Sequence, residues 1–199
     1  MISMKRVLAA VAVGFFIAGM AFGGTYQLDV AHSQILFKVK HLGISTVTGK
    51  FTDFGGSIDV DPANVSSLKT KATIKTASVD TSNEGRDKHL KSPDFFDADK
   101  HPEITFVSTK AEKLGGNKLK VHGDLTLRGV TKPIVLEGEF GGAADFMGTK
   151  RVAFTAEGTI NRQDFGVNWS KALDNGGLVV SDEVTIVLEI EGVSKPESE

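Results

Sequence analysis

Apolar and polar residues alternate singly along most of this chain, and that period of two is what most restricts its fold. Successive strand side chains point to opposite faces, so single alternation produces one oily face and one wet face. Ile35, Phe37, Val39 and His41 fall on one side of such a segment, with Lys38 and Lys40 on the other. Leu119, Val121, Gly123, Leu125 and Leu127 repeat it against Lys118, Lys120, His122, Asp124 and Thr126. Ile134, Leu136, Gly138 and Phe140 continue it, followed by Val152, Phe154, Ala156, Gly158 and Ile160, and by Val184, Ile186, Leu188 and Ile190. One wet face per strand marks antiparallel sheet, because parallel strands are covered on both faces and read as unbroken apolar runs.

The pattern predicts about eight strands, over roughly 25–30, 33–42, 46–60 (bent or split near Gly55), 68–79, 103–112, 117–128, 131–141, 149–160 and 182–192, one or two of them merging. Turn signals fall at Gly55-Gly56, Asp61-Pro62, Gly115-Gly116-Asn117, Arg128-Gly129 and Gly141-Gly142. Such residues supply the left-handed or fixed backbone angles that hairpins need. A sandwich and a closed barrel both hide one face of each strand. Few prolines blunt the strands, and closure removes exposed edges altogether, which favours the barrel. The expected fold is all-β, an extended eight-stranded antiparallel barrel with a short helix after the fourth strand.

That helix is predicted from Thr81-Ser82-Asn83-Glu84, which fits a capping box with Thr81 as N-cap and Glu84 at N3. Glu84 with Lys88, and Asp87 with Lys91, are spaced four apart with the acid first, the better order on a helix. Ser92-Pro93 ends the helix after a turn or two, since proline restricts the residue before it. Phe95-Phe96 follows as an aromatic anchor, and His101-Pro102 starts the next strand.

Lys5-Arg6, an uncharged apolar run from Val7 to Phe22 and the small residues around Ala21-Phe22-Gly23 read as a cleaved export signal over residues 1–23. The run falls short of the ~20 residues that span a bilayer. Residues 24–193 then form one domain and 194–199 a polar tail, with the periplasm as the expected location. Losing Lys5 and Arg6 takes the formal net charge from -2 to -4. Acidity spread along the chain argues against a nucleic-acid partner, which needs a basic stripe. There is no cysteine, so packing alone must hold an exported domain together.

Gly123, Gly138 and Gly158 lie on the apolar face of their strands, where a solid interior would carry larger side chains. Glycine there permits a bend or close backbone approach at any one site. Three on one face point to room inside. On this reading the tunnel is lined by Phe37, Val39, Phe106, Val121, Gly123, Leu125, Leu136, Gly138, Phe154, Ala156, Gly158, Ile186 and Leu188. An eight-stranded barrel is about the size that holds one small ligand.

Several segments resemble the YceI family of periplasmic, lipocalin-like isoprenoid-binding proteins. They are Ala31-His32-Ser33 with Phe37-x-Val-x-His41-Leu42-Gly43, Thr48-Gly49-Lys50-Phe51, and Ser78-Val79-Asp80-Thr81 running into Arg86-Asp87-Lys88-His89-Leu90-Lys91-Ser92-x-x-Phe95. Gly123-Asp124-Leu125-Thr126-Leu127-x-Gly129-Val130-Thr131-Lys132-Pro133 and Ile160-Asn161-Arg162-x-Asp164-Phe165-Gly166 complete the set, in order from Tyr26 to Val193. The resemblance implies a lipocalin-like barrel whose tunnel holds a polyisoprenoid lipid, such as a quinone tail or a prenyl phosphate derivative. An apolar tunnel needs no catalytic group to bind such a guest, and no catalytic residue, cofactor or metal is expected.

Asp80, Arg86 and His89 are the head-group candidates, Arg86 and His89 being three apart and so on one side of the helix. The alternative is that they pin the helix to the barrel rim. Trp169, the only tryptophan, either covers the other mouth or plugs the core. The five histidines show no zinc-binding spacing, and an Asp-rich turn that satisfies its own backbone accounts for Asp97-x-Asp99-x-His101. Glu137/Glu139 and Glu189/Glu191 pair on the wet face. An isoprenoid-modifying enzyme using Asp80, Arg86 and His89, and a structural barrel with a filled core, stay open as alternatives; so do monomer and homodimer.

Overall fold

A computed structural model describes residues 23–172 and 177–195. All but Gly23 of the expected export signal, and residues 196–199 of the tail, lie outside the described residues. The chain runs β1 (Gly24–Leu28), β2 (Gln34–His41), β3 (Ser45–Phe51), β4 (Phe54–Asp61), β5 (Asn64–Lys75), β6 (Val79–Asp80), α1 (Glu84–Lys91), β7 (Glu103–Gly115), β8 (Lys118–Leu127), β9 (Val130–Phe146), β10 (Thr149–Asn161) and β11 (Val180–Ser194). β1, β4, β5, β7, β8, β9, β10 and β11 form a ring of eight, closed by antiparallel pairing of β1 with β11. The predicted all-β barrel is therefore the fold. Its helix follows the segment predicted as the fourth strand. No helix among the described residues is long and apolar enough to cross a membrane.

Closure depends on β11. One edge pairs with β10 from Arg151 opposite Val193 to Asn161 opposite Glu183. The other edge is shared, β1 taking Gly192 to Ser194 while β2 takes Val180 and then Val184 to Glu189. β3 pairs with β2 and β4 with β1, so two interrupted strands run side by side. The segment expected as one strand over 46–60 is thus one path, broken at Thr52-Asp53 rather than at Gly55. A second break, the short 3-10 turn Thr76–Ser78, faces it. Thr52 N donates to Ser78 O (3.2 Å) and Lys75 N to Asp53 O (2.9 Å), so the interruptions satisfy each other's backbone groups.

Side-chain atoms bridge the break between β1 and β2. Ser33 Oγ donates to Glu191 O (3.3 Å) and accepts from Glu191 N (2.9 Å), standing in for a ladder position. Asp29 accepts from Ala31 N (3.1 Å), hydrogen-bonds His32 Nδ1 (2.9 Å) and accepts from Arg151 Nη1 (2.9 Å), and Arg151 also bonds Glu191. The His32 hydrogen bond holds the Asp29 carboxyl below its ordinary range, burial opposing and Arg151 assisting.

Two turn signals do not mark reversals. Gly55-Gly56 lies inside β4, and Gly141-Gly142 inside β9. Gly142 pairs with Ala153 and Phe140 with Phe154, so Gly141 is the extra residue of a bulge. β9 continues to Phe146 and reverses at Met147-Gly148, both at positive φ (53° and 75°). Ser194, expected in the tail, pairs with Tyr26 as the last residue of β11.

The barrel has a solid floor. Tyr26, Ile58, Val60, Leu119 and Val152 are buried at the end where β1 begins and β11 finishes. A Cβ built on Gly192 would lie 2.9 Å from Tyr26 Cβ and 3.2 Å from Val152 Cγ2, which shows how tightly that end is filled.

Two tests follow from this architecture. Gly138→Ala would put its Cβ 1.9 Å from the Thr155 carbonyl oxygen, whereas Gly55 has nothing within 4 Å. Denaturant titration should show Gly138→Ala losing about 2 kcal/mol or more, with Gly55→Ala within roughly 0.5 kcal/mol of the parent. A carboxyl with a lowered folded pKa contributes stability above its unfolded value of about 3.9, lost as pH falls through the folded pKa. Asp29→Asn should therefore flatten the fall of stability with pH below about 4, measured by thermal unfolding across that range.

Candidate ligand tunnel and its lid

Above the floor the barrel is hollow, with a cavity of about 240 Å³. Eleven of the thirteen residues predicted to line it do so: Phe37, Val39, Phe106, Val121, Leu125, Leu136, Gly138, Phe154, Ala156, Ile186 and Leu188. Gly123 and Gly158 are absent from the lining. A Cβ on Gly123 would lie 2.3 Å from the Phe106 ring and 2.7 Å from Val107 O; one on Gly158 would lie 2.6 Å from Val135 O. These glycines let neighbouring chains and rings approach and create no space, and Gly138 abuts backbone in the same way. Short inward side chains, Ala72 and Thr70 on β5 and Ala156 on β10, are among those that border the hollow. Among the described residues, Thr70 and Arg162 are the polar side chains in the lining, Thr155 being exposed in the outward register with Glu139 and Glu189; the Thr70 hydroxyl donates to Ser57 O (2.9 Å).

The opposite end carries a lid made of α1, the return to β7 and the loop after β10. Asn83, not Thr81, caps α1, its side chain accepting from Arg86 N (2.9 Å). Thr81 lies two residues earlier and is held by Asp87, whose Oδ1 accepts from Thr81 N (2.8 Å) and Oγ1 (2.6 Å). The capping residue is thus shifted, because Asp87 turns back to the segment entering the helix.

The head-group candidates all have local partners. Arg86 Nε donates to Thr81 Oγ1 (2.7 Å) and Nη2 to Thr81 O (2.9 Å). His89 Nε2 is hydrogen-bonded to Asp94 Oδ2 (2.9 Å). Asp80 accepts from Ser82 N (2.8 Å) and lies 3.5 Å from Lys50 Nζ; the Ser82 N–H is the main reason its pKa is lowered. Arg86 and Asp80 grip the entry to the helix, while His89 grips its exit. Asp97 is buried, pairs with Lys100 (3.3 Å), and accepts from Lys100 N and His101 N through its own carbonyl.

Leu90, Phe95 and Phe96 carry the lid's apolar side into the tunnel lining. Phe96 lies 5.9 Å from Phe51, which lies 5.8 Å from Phe37, so a file of rings runs from lid to wall. Trp169 does not cover the far mouth; it is half-buried and packed against the edge of the core at the lidded end. It packs on this lid, 5.3 Å from Phe95 and 5.4 Å from the His89 ring.

Arg162 brings Trp169 there, a role the sequence did not reveal. Its buried guanidinium donates to Ser181 O (2.9 Å), Val167 O (2.6 Å), Trp169 O (2.7 Å) and Asp182 Oδ1 (2.9 Å). Burial pushes its pKa down and Asp182 pulls it back, and an arginine keeps its charge through such shifts. Arg128 is the second missed residue. From the β8–β9 turn it reaches Pro93 O (2.8 Å) and Gly166 O, strapping the helix exit to the Trp169 loop. An arginine beside glycine in a turn looks merely solvated, and nothing around Arg128 in the sequence marks its partners. Asp29, His32 and Glu191 place ligand-type atoms within 4.8 Å of one another at the β1–β2 break, but Arg151 already bonds both carboxylates.

Residues 26–192 match the YceI-like domain. The chain belongs to the YceI-like family. It is 42% identical over 197 residues to Protein YceI of Shigella flexneri, covering 96% of this chain and 100% of that protein. It is 41% identical over 195 residues to a UPF0312 protein of Pseudomonas aeruginosa, covering 96% and 98%. Among solved structures, the YCEI protein of Campylobacter jejuni superposes with a TM-score of 0.68 at 36% identity, covering 96% of this chain and 99% of that one. A polyisoprenoid binding domain from Saccharophagus degradans shares the fold, with a TM-score of 0.62 at 17% identity over 85% of this chain and 98% of that one.

Arg162→Ala would leave three carbonyls and Asp182 without their buried partner. A loss of about 3–5 kcal/mol is expected on chemical denaturation. Red-shifted Trp169 emission should accompany it. Arg162→Lys should recover little, because an ammonium cannot reach four divergent acceptors.

Proposed function

We propose that the protein is a non-enzymatic carrier or store for a long isoprenoid lipid in the periplasm, the tail lying in the barrel and the head under the lid. The observation that supports this reading is the lining: aliphatic and aromatic side chains throughout, one inward threonine, and one arginine whose donors are committed to protein acceptors. From Leu119 at the floor to Leu127 near the lid, β8 offers roughly 26 Å of inward apolar wall at ~3.3 Å per residue. That suits a chain better than a compact guest. A tail giving up on the order of 500 Å² of apolar surface gains about 12 kcal/mol gross. Ordering the guest offsets a good part of this.

A neutral head such as a quinone ring fits this mouth better than a phosphate. Phe51, Phe95, Phe96 and Trp169 present ring faces and edges there, whereas a phosphate would have to draw Arg162 off its four acceptors. Asp80, Arg86 and His89 act in this proposal as fasteners of the lid. The polyisoprenoid binding domain of Saccharophagus degradans has the same barrel fold and accords with such a cargo.

Native mass spectrometry of protein taken from the periplasm, followed by organic extraction, should yield a bound isoprenoid. Ala156→Phe should cut isoprenoid affinity more than roughly tenfold, filling the tunnel at little cost in stability. Arg86→Ala should weaken binding of head-bearing and bare isoprenoids alike, in step with its loss of stability. An empty protein indifferent to prenyl compounds would overturn the reading.

A further inference from the structure

We propose that the β2–β3 hairpin is a membrane-docking tip, by which the lidded end of the barrel sits on an anionic phospholipid surface. The proposal concerns where a guest is exchanged and rests on the surface of the hairpin, so it stands apart from what fills the tunnel.

The tip is Leu42-Gly43-Ile44. Ile44 is 85% exposed and Leu42 36%. Leu42 and Gly43 both have positive φ (56° and 73°), and Ile44 N donates to His41 O (3.2 Å). Turns of this kind strongly favour Asn-Gly, because a branched side chain is strained in the left-handed region. The chain therefore gives up turn stability and exposes an isoleucine within the same three residues. Leu42 N donates to Val179 O (2.9 Å), which ties the turn to the residue preceding β11, but the Ile44 side chain is left almost wholly in water, which makes sense if the tip enters an apolar phase.

Charge on the hairpin has one sign. Between Lys38 and Lys50 the only ionised side chains are Lys38, Lys40 and Lys50, in a chain whose net charge is -2. Register places Lys38 opposite Thr48 and Lys40 opposite Thr46, so lysines and threonines share the outer face. Lys40 Nζ donates to Thr46 Oγ1 (2.9 Å), and Lys50 lies 3.5 Å from Asp80. Asp182 and Glu183 border Lys40 on the β11 side, Asp182 being held by Arg162 and Gln163. An apolar point backed by lysines is the arrangement that inserts among lipid chains while its cations meet anionic head groups.

The position suits exchange. His41 lies opposite Val180, the first residue of β11, and β3 pairs beyond β2 only at Lys50 and Phe51, so among the described residues the 45–49 edge is free beside the lid. The inward face of the same hairpin supplies Phe37 and Val39 to the tunnel lining. A lipid leaving the bilayer at the tip would meet that face next.

Phe146 and Met147 are also exposed, at 65% and 87%, but they stand at the end closed by Tyr26 and Val152 and beside Asp145, and serve as the control. The test is co-sedimentation of the full protein with vesicles of phosphatidylethanolamine and phosphatidylglycerol, set against phosphatidylcholine alone. Leu42→Asn/Ile44→Ser restores the favoured turn sequence, so stability should hold or rise while vesicle partitioning falls at least roughly tenfold. Lys38→Gln/Lys40→Gln should abolish the preference for anionic vesicles, and Phe146→Ser/Met147→Ser should change nothing. Titration with a short prenyl alcohol in the absence of vesicles should be the same for the parent and the tip variant, which separates docking from cargo binding. Parent protein that ignores the vesicles, or a tip variant that binds them equally, would overturn the proposal. So would a parent dimer that the tip variant converts to monomer, since a second copy would then cover the tip.

Discussion

The fold rests on one edge of β11. A single strand has two edges to satisfy, and this one meets β10 on one side and both β1 and β2 on the other. That shared edge turns a sheet into a ring. It also obliges the chain to break its path twice more, at Thr52-Asp53 and at Thr76–Ser78, where the loosened backbone groups find each other. Every interior property follows from closure, since a ring of alternating strands must turn one face wholly inward.

What the ring encloses differs from end to end. Near the floor, Tyr26, Ile58 and Val152 meet across Gly192 and leave no room. Toward the lid the ring encloses an apolar channel, and the cover is held by hydrogen bonds that radiate from three arginines. Arg86 fixes the entry to the helix, Arg128 straps its exit, and Arg162 sets the loop that lays Trp169 on top. Charge is concentrated where shape has to be held, and the one charged side chain in the channel lining, Arg162, has its donors taken up by Ser181, Val167, Trp169 and Asp182.

Much of this was legible in the sequence, and for a simple reason. Period-two patterning reports which face each strand buries, so the barrel and most of the inward residues from Phe37 to Leu188 could be read directly. The glycines misled, because an inward glycine marks either a gap or a close approach and pattern alone does not say which. Thr76–Ser78 was read as strand, although Thr76 leaves the ladder to hydrogen-bond His101 and Pro102. Tertiary partners also decided the helix cap, where Asp87 claims Thr81 and leaves Asn83 to do the capping. Arg162 and Arg128 were illegible because most of their acceptors are backbone carbonyls, which every residue carries; those of Arg128 also lie more than thirty residues away.

The pairing of Tyr26 with Ser194 joins the first strand to the last. Contacts between chain ends are the costliest in loop entropy, because everything between them must already be brought to order. The final seam of the wall therefore waits until nearly all of the polypeptide is present. Until then β1, β2 and β10 share the same missing neighbour, and each keeps a bare edge open to pairing with another chain. The contact of greatest separation along the chain is thus the same one that closes the wall around the interior.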